Sequence, residues 1–244
     1  IFYEAGHYEA QTKDDNSPVT KADLEANRLI VEGLQKISQD PVIAEESPAP
    51  IEYMQRKEWT RFWLVDPLDG TKGFLKQTGD FTINIALLEF GEPTMGVVIS
   101  PVRQLHYWAA KGQGAFCNGE RIENLRVGDP KIALSSRLHR ESRTSMWLSS
   151  LGVEDVRTLN SSLKLCLIAA GEADIYPRFG PTKEWDIAAG HAILSEAGCQ
   201  IINLDTYGQI EYNSESLTNP PFLATRNNIQ WQPGPDELPR ITVD

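Results

Sequence analysis

The sequence predicts a mixed α/β fold, a layered sandwich in which helices pack on sheets. Three observations carry this prediction. Short apolar runs of strand length alternate with stretches of helical periodicity along the whole chain. Several neighbouring strands are separated by only a few turn-forming residues, so hairpin pairing is built in and a purely parallel sheet is not expected. No internal repeat, linker or low-complexity segment divides the 244 residues, of which 41% are hydrophobic. That supports a single domain of two closely packed lobes, about 1–130 and about 131–244, with ample material for a core.

The elements follow in order. Phe2 to Ala10 reads as the tail of a helix, and because the chain opens at Ile1 without methionine, an N-terminal piece is expected to precede it. Lys13 to Val19 is polar and ends in Ser17-Pro18, the composition of a loop. Thr20 and Asp23 make a capping box with aspartate in the place of glutamate, and Ala22, Ala26, Leu29, Ile30, Gly33, Leu34 and Ile37 follow at helical spacing. Pro41 to Ala44 is a short strand that delivers Glu45 and Glu46. Trp63 to Asp66 is a buried strand, Pro67 forces a turn by fixing φ and removing a donor, and Asp69 caps a short helix.

Phe81 to Leu88 and Met95 to Ile99 pair around Gly91-Glu92-Pro93, while Leu105 to Ala109 and Gly114 to Cys117 extend the sheet up to an Asn118-Gly119 hairpin turn. In the second half Lys131 to Leu134 and Ala173 to Arg178 read as strands, with Leu163 to Ala170 a helix between them. Ile187 to Ala197 is a helix rich in small residues; Gln200 to Asn203, Gln209 to Tyr212 and Phe222 to Arg226 are closing strands.

Net charge is -11 with no Lys/Arg-rich run to offset it, which argues against a nucleic-acid partner and suits a cation-dependent site. Cys117, Cys166 and Cys199 show no metal-ligand spacing and are expected as buried, reduced thiols. No signal peptide or long apolar span is visible, so a cytoplasmic address without an integral membrane segment is expected. The sequence leaves the oligomeric state open.

Chemistry concentrates in Asp66-Pro67-Leu68-Asp69-Gly70-Thr71. A strand end followed by a turn would point the Leu68 carbonyl and the Asp69 carboxylate into the space that Asp66 faces. The amides of Gly70 and Thr71 would then open a helix and accept a phosphate oxygen. Hard oxygen ligands beside such amides suit Mg²⁺-assisted phosphoryl chemistry. Glu45 and Asp186 also stand at element ends, although Asp186 taken alone reads as an ordinary helix N-cap. Converging without metal, the four carboxylates would repel and partly protonate; bound Mg²⁺ would keep them ionised. Two ions about 3.5–4 Å apart would clamp the attacking and leaving oxygens of an in-line displacement. No Ser-His or Cys-His pattern is visible, so the nucleophile is expected to be a metal-activated water. Thr71 would orient it and Asp23 would activate Thr71, while Asp23 equally fits a capping position.

Together, the Asp66-Pro67-Leu68-Asp69-Gly70-Thr71 element, Trp185-Asp186-Ile187-Ala188-Ala189-Gly190 and the Glu45-Glu46 pair resemble the inositol monophosphatase superfamily, from about Ser17 to near the C-terminus. The resemblance implies an αβαβα sandwich and a Mg²⁺-dependent, lithium-sensitive phosphatase. Ser17-Pro18-Val19-Thr20-Lys21-Ala22-Asp23, Ser161-Ser162-Leu163-Lys164 and Tyr176-Pro177-Arg178-Phe179-Gly180-Pro181-Thr182 look like the 3'(2'),5'-bisphosphate nucleotidase (CysQ-type) branch. That branch removes the 3'-phosphate of adenosine 3',5'-bisphosphate (PAP) to give AMP.

Carried over position by position, the likeness implies Glu45, Asp66, Asp69, Asp186 and the Leu68 carbonyl as ligands for two or three Mg²⁺ ions, all but Asp186 from the first lobe. It implies Asp23 and Thr71 as the water-activating pair, and Gly70 with Thr71 as the phosphate turn. Ser161, Lys164, Arg178 and Asp186 would hold the substrate, with His139 near that pocket. Lys164 and Arg178 make chemical sense as cations for a doubly phosphorylated molecule, against a plainer reading as solvated charges. His139, beside Arg137 and Arg140, reads more simply as surface. Gly73 after Lys72 departs from the larger residue of the likeness and is expected to alter local substrate contacts. The same likeness would allow loose association with the inner face of the cytoplasmic membrane, which no polybasic or amphipathic segment here supports. Two rivals remain: an inositol- or sugar-phosphate phosphatase of the same fold, and a non-catalytic nucleotide-binding module.

Overall fold

The computed structural model describes residue 3 and residues 10–12, 18–136, 142–232 and 240–243. A short antiparallel ribbon of β1 (Ala10–Thr12) and β2 (Pro18–Thr20) leads into helix α1 (Lys21–Ile37), whose Thr20/Asp23 capping box is present as the sequence predicts. A seven-stranded sheet follows in chain order: β3 (Val42–Ala44), β4 (Arg61–Asp69), β5 (Thr82–Glu89), β6 (Glu92–Ser100), β7 (Leu105–Ala110), β8 (Gly114–Cys117) and β9 (Glu120–Ile122). Only β3 and β4 run parallel. Short helices α2 (Tyr53–Arg56) and α3 (Thr71–Leu75) flank β4.

The second half forms a five-stranded mixed sheet from β10 (Ile132–Ser136), β11 (Asp155–Leu159), β12 (Ile175–Arg178), β13 (Cys199–Asn203) and β14 (Phe222–Arg226), in the order β11-β10-β12-β14-β13. Helices α4 (Ser142–Ser150), α5 (Leu163–Ala169) and α6 (Glu184–Glu196) are interleaved, and β15 (Ile229–Gln232) pairs with β16 (Arg240–Val243).

Apolar burial arranges these elements in five layers. Leu34 of α1 packs with Ala44, Trp63, Val65 and Leu87 on one face of the large sheet. Its other face, with Leu64, Leu88, Val98 and Tyr107, meets Leu165 and Ile168 of α5 and Ile187, Ala189 and Ile193 of α6. These two helices in turn cover Ile201 and Ala224 of the small sheet, whose far face packs Ala133, Ile175 and Leu223 on Trp147 and Leu148 of α4. The order helix–sheet–helix–sheet–helix is the predicted sandwich. Strand β4 reads as a continuous apolar run because helices cover it on both faces.

Small residues set the depth at which α6 sits. A Cβ on Gly96 of β6 would collide with the Ala189 carbonyl, and one on Gly190 with the Leu165 side chain. The Ala188-Ala189-Gly190 stripe is therefore a close-packing face that lets α6, and with it Asp186, approach the large sheet.

The structure corrects several expectations. Pro67 does not end β4; the strand runs through to Asp69 and absorbs an extra residue between the Asp66–Asn84 and Asp69–Thr82 pairs. Asp69 does not cap α3, whose N-cap is Gly70 in the left-handed region at φ 95°. Helix α6 begins at Glu184, so Asp186 lies inside its first turn rather than at its cap. Gln209 to Tyr212 is irregular, although Ile210 and Tyr212 are buried. Ala10 belongs to a strand, not to a helix. Pro18 and Val19, expected at the end of a loop, belong to strand β2. What the sequence predicts for Phe2, for 4–9 and for 13–17 lies outside the described residues. Elements β1, β2, α2, α4, β9, β11, β15 and β16 are not among those the sequence predicts. No helix among the described residues is long and apolar enough to cross a membrane.

Gly96→Ala should lower stability by roughly 1–3 kcal/mol, because the obstruction is a backbone carbonyl that cannot swing aside. Chemical denaturation reads this directly, and an unchanged midpoint would contradict the close-packing account.

Candidate active site

The bulge in β4 makes the site possible. In a regular strand, residues three apart point to opposite faces. The extra residue at Pro67-Leu68 restores parity, so Asp66 and Asp69 face the same side. Pro67 has no N–H to waste at the irregular position, and the Leu68 amide turns back to donate to Asp66 Oδ1 at 2.9 Å. Carboxylate oxygens of Asp66, Asp69 and Asp186 lie within 4.8 Å of one another, Asp66 buried and the other two half-buried.

Asp186 is aimed by the start of α6. The Lys183 amide donates to its Oδ2 at 2.7 Å. The helix start itself is moored by Glu184, fully buried, which accepts the amides of Asn213 and Ser214 and the Ser214 hydroxyl. Glu45 follows β3, its amide bonded to the Val65 carbonyl at 3.0 Å, and Asn27 of α1 holds the neighbouring Glu46 carbonyl at 3.1 Å. The Glu45 charge acts on Asp66, Asp69 and Asp186 alike, although its oxygens lie outside the tightest cluster among the described residues.

These carboxylates share a predicament. Desolvation, then the charges of Glu45, Asp69 and Asp186, push the Asp66 carboxyl well above its ordinary range. Desolvation and then Asp69 do the same to Asp186, against the Lys183 amide. Asp69 is raised by desolvation, with Lys164 and the Ser162 amide opposing. Acidic oxygens that oppose one another this closely fit a hard divalent cation.

Asp23 is buried, and it completes the capping box of α1 while also meeting Thr71. Its Oδ2 accepts the Thr20 amide at 2.9 Å and the Thr20 hydroxyl, while Oδ1 lies 3.2 Å from the Thr71 hydroxyl. Burial raises its carboxyl, with the Thr20 bonds opposing. The Thr71 hydroxyl also lies 3.3 Å from the Leu68 carbonyl.

Asp69, Gly70, Thr71, Ser161, Lys164, Arg178 and Asp186 line one cavity of about 270 Å³. Asp23, Glu45, Asp66 and Leu68 lie outside its lining. Lys164 is not a solvated charge: it is 3% exposed, its ammonium bonds the Ser161 carbonyl at 2.5 Å and lies 5.0 Å from the Tyr176 ring centroid. Burial pushes its pKa down to about 8, Asp69 opposing and Arg178 adding to the fall. Arg178 is also buried; one of its terminal nitrogens donates to the Pro181 carbonyl, and its Nε has no partner among the described residues. His139 lies outside the described residues.

Gly73 has a packing reason: a Cβ there would press on the Asp80 carbonyl at 2.7 Å. Sequence reasoning missed Thr82, Asn84, Asn160, Ser162 and Tyr176. A signal existed for the first two, polar residues two apart in an otherwise apolar strand, which therefore share a face.

Clustered carboxylates and two buried cations, meeting at one cavity of this five-layer fold, define a phosphatase. The chain belongs to the inositol monophosphatase family, whose sequence model matches residues 3–230. It is 45% identical over 230 residues to the 3'(2'),5'-bisphosphate nucleotidase CysQ of Salmonella typhimurium, covering 92% of each chain. The crystal structure of CysQ from Bacteroides thetaiotaomicron superposes with a TM-score of 0.78 at 38% identity, covering 88% of this chain and 86% of that one. An IMPase/NADP phosphatase solved with NADP and Ca²⁺ superposes at 0.74 with 25% identity, covering 91% and 82%.

If a cation relieves the carboxylates, Mg²⁺ should raise the melting temperature, by about 2.7 kcal/mol of added stability at a hundredfold excess over its dissociation constant. Asp66→Asn should raise the metal-free melting temperature by roughly 2–4 °C, the equivalent of about 1 kcal/mol in a chain of this size, and remove the Mg²⁺ response. A variant that melts below wild type without metal would count against the repulsion account.

Proposed function

We propose that this enzyme hydrolyses the 3'-phosphate of adenosine 3',5'-bisphosphate to AMP and phosphate, and accepts the 5'-phosphosulfate analogue in the same way. The observation that carries the reading is the pair of buried cations, Lys164 and Arg178, lining one cavity with Asp69 and Asp186. A monophosphate leaves one of two such cations uncompensated; a substrate with a second phosphate does not. The buried Arg178 Nε, without a partner among the described residues, is a donor in want of an acceptor. The relative's printed activity, 3'(2'),5'-bisphosphate nucleotidase, supports the same substrate.

On this reading Glu45, Asp66, Asp69, Asp186 and the Leu68 carbonyl hold two or three Mg²⁺ ions. Bound there, Mg²⁺ would supply Lewis-acid polarisation of the phosphoryl group and acidify water. The chain does the rest. Gly70 and Thr71 open α3 with amides available to the scissile phosphate. The Thr71 hydroxyl orients the attacking water and accepts its proton while passing its own to Asp23, whose raised pKa makes it a better acceptor than an ordinary carboxylate. Water oxygen bonds to phosphorus as the P–O3' bond breaks, and the departing 3'-oxygen takes a proton from water to become the 3'-hydroxyl of AMP while Asp23 returns its own to solvent. Ser161, Lys164 and Arg178 fix the nucleotide and its 5'-phosphate. The single catalytic domain thus divides into a metal-binding lobe of about residues 1–130 and a substrate-binding lobe of about 131–244, which lends Asp186 to the first.

Phosphate release should be much faster from adenosine 3',5'-bisphosphate than from inositol 1-phosphate. Arg178→Gln should raise KM for the bisphosphate at least about tenfold, the scale of one charge-assisted contact, and change monophosphate turnover little. Faster release from inositol 1-phosphate would replace this reading with the broader phosphatase of the same fold.

A further inference from the structure

Asp69 is gripped on one oxygen. Its Oδ2 accepts the Ser162 amide at 2.6 Å and lies 3.4 Å from both the Thr82 hydroxyl and the Asn84 side-chain nitrogen; no described hydrogen bond uses Oδ1. The grip is itself cross-braced. The Ser162 hydroxyl donates to Asn84 Oδ1 at 2.6 Å and lies 2.9 Å from the Thr82 hydroxyl. Thr82, Asn84 and Ser162 are all buried, and they join β5 of the large sheet to the start of α5. The amide of Ser162 is aimed by Ser161, held in the left-handed region at φ 64°, which a serine adopts only under constraint. That constraint includes the Lys164 ammonium on the Ser161 carbonyl.

This arrangement answers a physical problem. A carboxylate beside two others minimises repulsion by rotating away from them, and nothing charged in the Thr82–Asn84–Ser162 group prevents it. Hydrogen bonding does. With its Oδ1 occupied by the Ser162 hydroxyl, Asn84 must turn its NH₂ toward Asp69; without that hydroxyl the amide is free to flip and set oxygen against oxygen.

We propose that Ser162 is a positioning residue for the cation site: its amide and the Asn84 NH₂ that its hydroxyl orients hold Oδ2 of Asp69, with Thr82 donating to the Ser162 hydroxyl, and Oδ1 is left as the metal-facing oxygen. The inference rests on the metal reading above. The test is calorimetric Mg²⁺ binding to the substrate-free protein, with thermal unfolding in chelator alongside. Ser162→Ala should weaken Mg²⁺ about tenfold or more, the usual effect of removing a group that orients a metal ligand. Excess Mg²⁺ should restore most of kcat. Thr82→Val, equal in shape, should act in the same direction and serves if Ser162→Ala does not fold. Folded variants that bind Mg²⁺ within twofold of wild type overturn the inference alone. Wild-type protein that binds no Mg²⁺ overturns the metal reading and the inference with it.

Discussion

Like charges brought together out of water are the constraint to which the rest of the molecule answers. Asp66, Asp69 and Asp186 come from two distant chain segments, and Glu45 adds a fourth charge that each of them feels. Left to themselves, such groups would separate, hydrate or protonate. Each is held by backbone amides: Leu68 on Asp66, Ser162 on Asp69, Lys183 on Asp186. Amide donors fix direction without cancelling charge, and so leave the cluster short of positive charge that a divalent cation can bring.

The sandwich can be understood as the frame that resists this repulsion. One extra residue in β4 turns two strand carboxylates to one side. A glycine in β6 admits α6 to backbone contact, and the buried Glu184 ties that helix start to the segment after Tyr212. Each device lies where strain would otherwise relax the cluster. Helix α5 brings Lys164, and strand β12 brings Arg178, to the cavity that Asp69 and Asp186 also line, and their burial, by withholding water, makes an anionic substrate the natural compensation.

Much of this was legible in the sequence, and the gaps have physical reasons. Apolar periodicity located α1, β3 to β8, α5, α6, β13 and β14, because burial writes itself into residue spacing. The carboxylates stood out because they end apolar runs. The turn expected at Pro67 became a bulge, since proline's missing donor is equally tolerated there and pairing with β5 decides between the two. Asp186 was placed at a cap rather than in the first turn because Lys183, with no short polar side chain, hides the true cap. Strands β15 and β16 are short and, among the described residues, pair only with each other, which leaves little hydrophobic pattern to read. The brace of Thr82, Asn84 and Ser162 joins β5 to the loop before α5, and sequence spacing carries no trace of such a contact.

The most direct measurement is an anomalous-difference map from crystals soaked in Mn²⁺, a heavier stand-in for Mg²⁺. The account predicts a peak coordinated by carboxylate oxygens of Asp66, Asp69 and Asp186 beside the Leu68 carbonyl. A well-ordered site with those side chains in place and no peak among them, or ions bound only elsewhere on this acidic surface, would contradict it.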